Sequence, residues 1–120
     1  MPEANDLTIW HNPRCSKSRG TLELLRERGF EPVVIDYREN PPDVRELSRV
    51  LDLLGMEPRA LMRRDESEYA ELKLDDQALT RDQLIAAMAA HPILIQRPIV
   101  IANGKAAIGR PPENVLAIIS

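Results

Sequence analysis

The chain contains a single cysteine, Cys15, and its surroundings predict reactive thiol chemistry. Cys15 follows a turn signal, Asn12-Pro13, and precedes a helical pattern that begins at Leu22. The sequence therefore predicts that it lies at a turn between a strand and a helix. Free N–H groups at a helix start stabilise a thiolate and also attract anions. We predict that they lower the Cys15 pKa from about 8.5, which makes the thiol a nucleophile at neutral pH.

Cationic side chains add to this effect. Arg14, Lys17 and Arg19 all lie within four residues of Cys15. A free cysteine is most often a small buried hydrophobe with no chemical role, and apolar neighbours would favour that alternative. Because the neighbours here are charged or polar, the sequence favours an accessible and reactive thiol.

Cys15-Ser16-Lys17-Ser18 is a C-x-x-S sequence, in which Ser18 takes the position of the second cysteine of a two-thiol enzyme. One cysteine cannot form an internal disulfide, so any redox cycle needs a thiol from another molecule. Three residues separate Cys15 from Arg19, whereas a tyrosine-phosphatase loop has five, so a phosphatase is disfavoured. His11 and His91 lack spaced partners, and no metal site is predicted.

The composition is that of a globular protein and argues against several functions. The chain has 120 residues, 43% of them hydrophobic, and a net charge of -3. This length fits one domain over residues 1–120, and the acidic balance disfavours a nucleic-acid binder. No apolar run reaches the roughly 18 to 20 residues of a membrane span. Residues 1–6 carry no signal-peptide pattern, so we predict a cytoplasmic protein.

The elements that must position Cys15 form a β-α-β unit at the start of the chain. Residues 7–10 and 32–37 are predicted strands, and residues 21–28 are a predicted helix. The second strand is nearly continuous in apolar character, which predicts burial on both faces. A right-handed parallel crossover places Cys15 at the carboxyl end of the first strand, where open α/β sheets bind ligands.

The rest of the chain predicts helices followed by a hairpin. Between residues 43 and 91 no strand candidate occurs. Helices are predicted at residues 44–54 and 67–72, with a short turn from Pro58 between them. A further helix is predicted from the capping residue Thr80 to about His91. Asn103-Gly104 between the apolar runs 99–102 and 105–108 predicts an antiparallel hairpin. Residues 113–119 predict a last helix.

Three sequence blocks, in this order, carry a family pattern. They are His11-Asn12-Pro13-x-Cys15, then Arg59-Ala60-Leu61-Met62-Arg63, and then residues 91–100 (HPILIQRPIV) with Gly109-Arg110-Pro111. Over essentially its whole length the chain resembles the glutaredoxin-linked arsenate reductases, the ArsC family. The resemblance implies an α/β, thioredoxin-like fold with a mixed central sheet. A helical insertion of about residues 43–91 would separate the second strand from the C-terminal hairpin.

The resemblance also implies roles for individual residues. Cys15 would be the nucleophile, His11 would tune its thiolate, and Arg63, Arg97 and Arg110 would bind the oxyanion. Guanidinium groups suit a tetrahedral oxyanion because they donate paired hydrogen bonds. Arg64 could serve instead of Arg63, and only the family register favours Arg63. Pro98 matches a proline that is cis in thioredoxin-like folds.

The implied function is reduction of arsenate to arsenite through a Cys15-arsenic-glutathione adduct. Glutathione would be the co-substrate and glutaredoxin the protein partner, and the enzyme would be a monomer with no bound cofactor. Two alternatives remain at this point. One is a thiol transferase of the glutaredoxin type, and the other is a regulator of the same fold that binds RNA polymerase. The regulator uses a two-cysteine switch, which the C-x-x-S sequence lacks.

Overall fold

The computed structural model describes residues 7–119, which form two compact units. The sheet unit comprises the residues up to Asn40 and those from Arg97 onward, and the helical unit comprises Pro41–Gln96. The prediction about a signal peptide concerns residues 1–6 and lies outside the described residues. From residue 7 to residue 119, no helix is both long enough and apolar enough to cross a membrane. The single domain predicted over residues 1–120 stays a prediction.

The sheet unit is built on one mixed sheet. Its four strands are β1 (Thr8–His11), β2 (Val33–Asp36), β3 (Ile99–Ala102) and β4 (Lys105–Ile108). They lie in the order β2-β1-β3-β4. β1 pairs in parallel with β2, whereas β3 is antiparallel to β1 and β4 is antiparallel to β3. The predicted parallel start and antiparallel hairpin of the sheet are both confirmed.

The hairpin between β3 and β4 turns at Asn103-Gly104. Both residues have positive φ, 56° and 69° respectively. A two-residue turn with positive φ at both positions matches the twist of the strands that it joins, and Asn-Gly tolerates that conformation best. The turn therefore forms where the sequence predicts it.

The prediction that the second strand is buried on both faces is wrong. Among residues 7–119, β2 is an edge strand that pairs with β1 alone. Val33 and Val34 are 43% and 40% exposed. A run of apolar, β-branched residues predicts that the segment forms a strand. Whether that strand is buried depends on its position in the sheet, which the composition of the run does not specify.

The core of the sheet unit lies against the inner strands. Ile9 on β1 and Val100 on β3 pair directly and have no exposed surface. Helix α1 (Ser16–Glu27), a 3₁₀ turn at Pro112–Val115 and helix α6 (Leu116–Ile119) complete the unit. The buried cluster consists of Leu7, Ile9, Leu25, Val100, Ala102, Val115 and Ile118.

Helix α1 begins earlier than its predicted first residue, Thr21. It starts at Ser16, directly after Cys15, and Gly29 follows its end with a φ of 87°. The first turn is polar and contains no apolar repeat, so periodicity could not reveal it. The predicted last helix likewise begins as a 3₁₀ turn. Cys15 is therefore closer to the helix start than the sequence pattern indicated.

The helical unit, which is described throughout, contains helices α2 (Val44–Leu54), α3 (Pro58–Leu61), α4 (Ser67–Glu71) and α5 (Arg81–Ala90). Asp43 caps α2 by accepting a hydrogen bond from the Glu46 N–H at 2.8 Å. Thr80 and Gln83 form the predicted capping box at the start of α5. Within this unit the only strand-like pairing is an isolated bridge between Met62 and Ile95, so the absence of strands from 43 to 91 is confirmed.

Candidate active site

The loop between β1 and α1 holds Cys15 at the N-cap of the helix. Its backbone is extended, with φ -100° and ψ 123°. The Cys15 N–H donates to the Asn12 carbonyl at 3.0 Å, and the Arg14 N–H donates to Asn12 Oδ1 at 3.0 Å. The Cys15 carbonyl accepts the Arg19 N–H at 2.9 Å, which begins the helical hydrogen bonds. The predicted position of the thiol, between a strand and a helix, is confirmed.

Several groups act on the Cys15 thiol, and their net effect lowers its pKa. Partial burial is the largest single influence and raises the pKa, but the backbone N–H groups of Ser18 and Lys17 lower it. Arg97 lowers the pKa further, by its charge and as a hydrogen-bond donor. Among the described residues, the Cys15 side chain does not accept a capping hydrogen bond from the start of α1. The N–H groups therefore act on the sulfur mainly through their partial positive charges. The thiolate form is stabilised, as the sequence predicts.

Arg97 lies just before β3 and reaches Cys15 within the sheet unit. Its Nε atom is buried and has no hydrogen-bond partner among residues 7–119. The Arg97-Pro98 peptide bond is cis, as the family resemblance implies, and the Arg110-Pro111 bond is cis as well. Arg110 is exposed and its Nη1 donates to the Arg97 carbonyl at 3.4 Å. The structure thus brings Cys15, Arg97 and Arg110 to one region.

A close contact fixes the segment that carries Arg110. The Gly109 N–H donates to the Pro98 carbonyl at 2.9 Å. A Cβ atom on Gly109 would lie 2.8 Å from Pro98 Cγ and would clash with Thr21 Oγ1 on α1. The sequence predicted that Gly109 ends the hairpin and belongs to a family block, but it did not predict this close contact, because a close approach between distant segments has no local signal.

Arg63 belongs to the helical unit, and its surroundings there are anionic. Its side chain is 17% exposed, and Nη1 lies 3.2 Å from Glu66 Oε1. Nη2 lies 3.9 Å from Asp65 Oδ2, and the backbone N–H donates to the Leu94 carbonyl at 2.7 Å. Arg64 is exposed. The assignment of Arg63 to the oxyanion stays a prediction.

His11 forms a buried contact that sequence reasoning did not foresee. Its Nδ1 lies 2.6 Å from Ser18 Oγ, and that oxygen accepts the Asn12 N–H at 2.9 Å. Burial lowers the His11 pKa; Asp36 opposes this, and Arg26 and Arg19 reinforce it. Burial therefore favours the neutral form of the ring. The tuning role of His11 stays a prediction, but its hydrogen bond within residues 7–119 goes to Ser18.

A groove adjoins this loop along α1. It has a volume of about 670 Å³, and it is lined by His11, Pro13, Arg19, Leu22, Glu23, Arg26 and Glu27. In the part of the chain that the structure describes, no three His, Cys, Asp or Glu side chains stand close enough to hold a metal ion. Neither Cys15 nor Arg97 is among the residues that line this groove.

Comparison with known proteins identifies the family. The family model of ArsC matches residues 10–118, so the chain belongs to the ArsC family. A protein of Escherichia coli K12, called uncharacterized protein YfgD, is 56% identical over 112 residues, which cover 92% of this chain and 94% of that protein. A Neisseria meningitidis protein called arsenate reductase is 50% identical over 120 residues, covering 99% and 100% of the two chains.

A solved structure agrees in fold as well. The arsenate reductase from Vibrio cholerae superposes with a TM-score of 0.94 at 54% identity, over 98% of this chain and 100% of that one. The thioredoxin-like α/β fold implied by the sequence blocks is thereby confirmed.

Proposed function

We propose that this protein reduces arsenate to arsenite with Cys15 as the nucleophile. The observation that carries the proposal is the position of Cys15 at the N-cap of α1, where Arg97 and two N–H groups favour its thiolate. A thiolate and an arsenate ion are both negative, so attack needs cations that reduce their repulsion. Relatives named arsenate reductase, which match this chain along its full length, support the choice of oxyanion.

The proposed reaction begins when the Cys15 thiolate bonds to arsenic and water or hydroxide leaves. Arsenic is still As(V) at this stage. Glutathione then displaces a second oxygen and gives a Cys15-arsenic-glutathione adduct. A glutaredoxin thiolate attacks the glutathione sulfur, so that a mixed disulfide forms and the electron pair of the sulfur-arsenic bond stays on arsenic. Arsenic becomes As(III), and water releases arsenite from Cys15.

External thiols are required because this chain has one cysteine. Glutathione is the proposed co-substrate, and glutaredoxin is the proposed partner that takes up glutathione as a mixed disulfide. A second glutathione regenerates the glutaredoxin. Since these reductants belong to a reducing compartment, we propose a cytoplasmic enzyme that acts as a monomer without a bound cofactor.

The arginines have distinct proposed roles around the oxyanion. Arg97 holds it beside Cys15, and Arg110 adds a second guanidinium next to Arg97. The buried, unpaired Nε of Arg97 supports this role, because a buried donor without a partner gains most from a bound acceptor. Arg63 is proposed to complete the set on the strength of the family pattern alone.

The test is arsenate-dependent oxidation of NADPH, coupled through glutathione reductase, glutathione and glutaredoxin. We expect turnover with the parent protein and none with folded Cys15→Ser, because the hydroxyl is a far weaker nucleophile than a thiolate. Omission of glutaredoxin should also stop turnover. Equal rates with and without arsenate would contradict the proposal.

A further inference from the structure

The groove along α1 adjoins the loop that carries Cys15, but the sulfur is not part of its lining. Pro13, two residues before Cys15, lines it at the loop. Arg19 Nη1 donates to the Pro13 carbonyl at 2.9 Å, and the Arg19 N–H donates to the Cys15 carbonyl at 2.9 Å. The position therefore suits the body of a second substrate that reacts at Cys15, rather than the oxyanion itself.

The wall of the groove on α1 is one helix face that carries both signs of charge. Its five residues recur at spacings of three and four: Arg19, Leu22, Glu23, Arg26 and Glu27. Arg19 and Glu23 have the spacing of a helical ion pair, yet among residues 7–119 the ion pair made by this face is the one between Arg26 and Glu31, at 3.2 Å. The charges of Arg19, Glu23 and Glu27 are therefore left for a ligand.

This lining selects for a zwitterionic molecule. An inorganic anion or a nucleic acid would be repelled by Glu23 and Glu27, and an apolar ligand would bury charges without a partner. Glutathione has a carboxylate at each end, an ammonium group beside one of them, and a thiol between them. The groove volume of about 670 Å³ lies within the range of roughly 300 to 1,000 Å³ for small-molecule sites.

We propose that this groove binds glutathione and presents its thiol to the arsenic on Cys15. Arg19 and Arg26 are seven residues apart, about 10 Å along the helix, and each binds one terminal carboxylate. The glycine carboxylate is the nearer one to the thiol, so it binds Arg19 beside the Cys15 loop. The γ-glutamyl arm extends to Arg26, with its ammonium group at Glu23 or Glu27. The inference rests on the proposed function, because it assigns a site to the co-substrate of that reaction.

A second, smaller groove shares Pro13 and provides an internal comparison. Its volume is about 350 Å³, and its other lining residues are Arg14, Asp36, Arg38 and Glu39. It has no aliphatic side chain comparable to Leu22, and Asp36 Oδ1 already accepts the Arg38 N–H at 3.1 Å. The groove along α1 is therefore the better match to glutathione.

The first experiment measures binding of S-methylglutathione by calorimetry without arsenate, because the blocked thiol cannot react. We expect Arg19→Gln and Arg26→Gln each to raise Kd by about tenfold, since each loses a charge-assisted hydrogen bond to a carboxylate. Arg28→Gln removes the same charge at an exposed residue outside the lining and should leave Kd unchanged. No binding by the parent, equal Kd values in all variants, or a loss confined to Arg38→Gln would overturn the inference.

The second experiment measures steady-state kinetics with each substrate varied in turn. Neither Arg19 nor Arg26 is among the groups that shift the Cys15 pKa, so both variants should raise KM for glutathione and leave KM for arsenate unchanged. Glutathione amide lacks the glycine carboxylate, and with it Arg19→Gln should cost nothing further. A raised KM for arsenate instead would refute the assignment.

The two experiments separate this inference from the proposed function. If the parent binds S-methylglutathione through Arg19 and Arg26 but does not reduce arsenate, then the groove is a glutathione site and the proposed function fails. If the parent reduces arsenate and both variants keep the parental KM for glutathione, then the proposed function stands and the groove is not the glutathione site.

Discussion

The reactivity of Cys15 is a balance between opposing influences on one sulfur atom. Burial raises its pKa, whereas the N–H groups at the start of α1 and the guanidinium of Arg97 lower it and prevail. The side chain remains partly exposed, so a reagent can reach it. A lowered pKa and an accessible sulfur together define a nucleophile.

Alkylation of Cys15 by iodoacetamide should follow this pKa. The thiolate is the reactive form, so the rate falls as pH drops through the folded midpoint, which we expect below about 8.5. The same protein unfolded in urea should give a midpoint near 8.5. Because the folded pKa is lower than the unfolded pKa, ionisation of this thiol increases the free energy of unfolding at pH values above the unfolded pKa. That contribution is lost as pH falls through the folded pKa. Identical folded and unfolded midpoints would argue against a tuned thiol.

Replacing Arg97 by Lys should separate charge from geometry. Lysine keeps the positive charge but loses the guanidinium fork, and a charge-assisted hydrogen bond contributes roughly 1.5 to 3 kcal/mol. We expect kcat/KM for arsenate to fall by about ten- to a hundredfold with little change in melting temperature. Arg28→Lys, at an exposed residue just past α1, is the control. A large drop in melting temperature for Arg97→Lys would mean that the arginine is structural.

Burial of His11 should make the stability of the protein depend on pH. Because its folded pKa lies below 6.5, the unfolded chain takes up a proton first as pH falls. The free energy of unfolding should therefore decrease as pH is lowered below about 6.5, and urea titrations at several pH values would measure the slope. His11→Gln should flatten that slope. A parent protein with constant stability from pH 7 to 5 would contradict this assignment.

At the scale of elements, the site depends on how closely the Gly109-Arg110 segment approaches α1. Thr21 is fully buried, and its hydroxyl donates to the Lys17 carbonyl at 2.8 Å. The Gly109 carbonyl lies 3.4 Å from the same hydroxyl. The absence of a side chain on Gly109 allows this approach. The contact holds Arg110 next to the segment that carries Arg97.

Gly109→Ala should therefore reduce both stability and activity. The added methyl group would overlap Thr21 and Pro98, and overpacking of this kind costs about 1 to 3 kcal/mol. The matched control is Gly20→Ala within α1, where the nearest atom, Pro112 Cγ, is 3.6 Å from the new Cβ. That variant should be stabilised by about 0.5 to 1 kcal/mol, because alanine favours a helix. Chemical denaturation of both variants decides the point, and a neutral Gly109→Ala would disprove the close contact.

At the scale of the whole molecule, one of the three predicted oxyanion-binding arginines lies in the helical unit. The family pattern selects Arg63, and its neighbour Arg64 offers a built-in comparison. We expect Arg63→Lys to lower kcat/KM for arsenate by about tenfold or more, and Arg64→Lys to leave it unchanged. Steady-state kinetics of the two variants measure this directly. The reverse result would transfer the role to Arg64.

Local signals in the sequence accounted for most of the elements. Asn103-Gly104 defined the hairpin, and Thr80 with Gln83 defined the start of α5, because turn and capping chemistry involve neighbouring residues. The position of Cys15 between a strand and a helix could be predicted for the same reason. Hydrophobic periodicity did not predict the first turn of α1, because that turn contains no apolar residues.

The sequence by itself determined that there is a single thiol, that any second thiol must come from another molecule, and the order of strands and helices along the chain. The tertiary structure alone decided that β2 is an exposed edge, that Arg97 reaches the sulfur, that Gly109 contacts Thr21, and that Ser18 bonds to His11. Each of these depends on how paired strands and packed segments bring residues together, many of them distant in the chain, and such contacts leave no periodic or local pattern for the sequence to display.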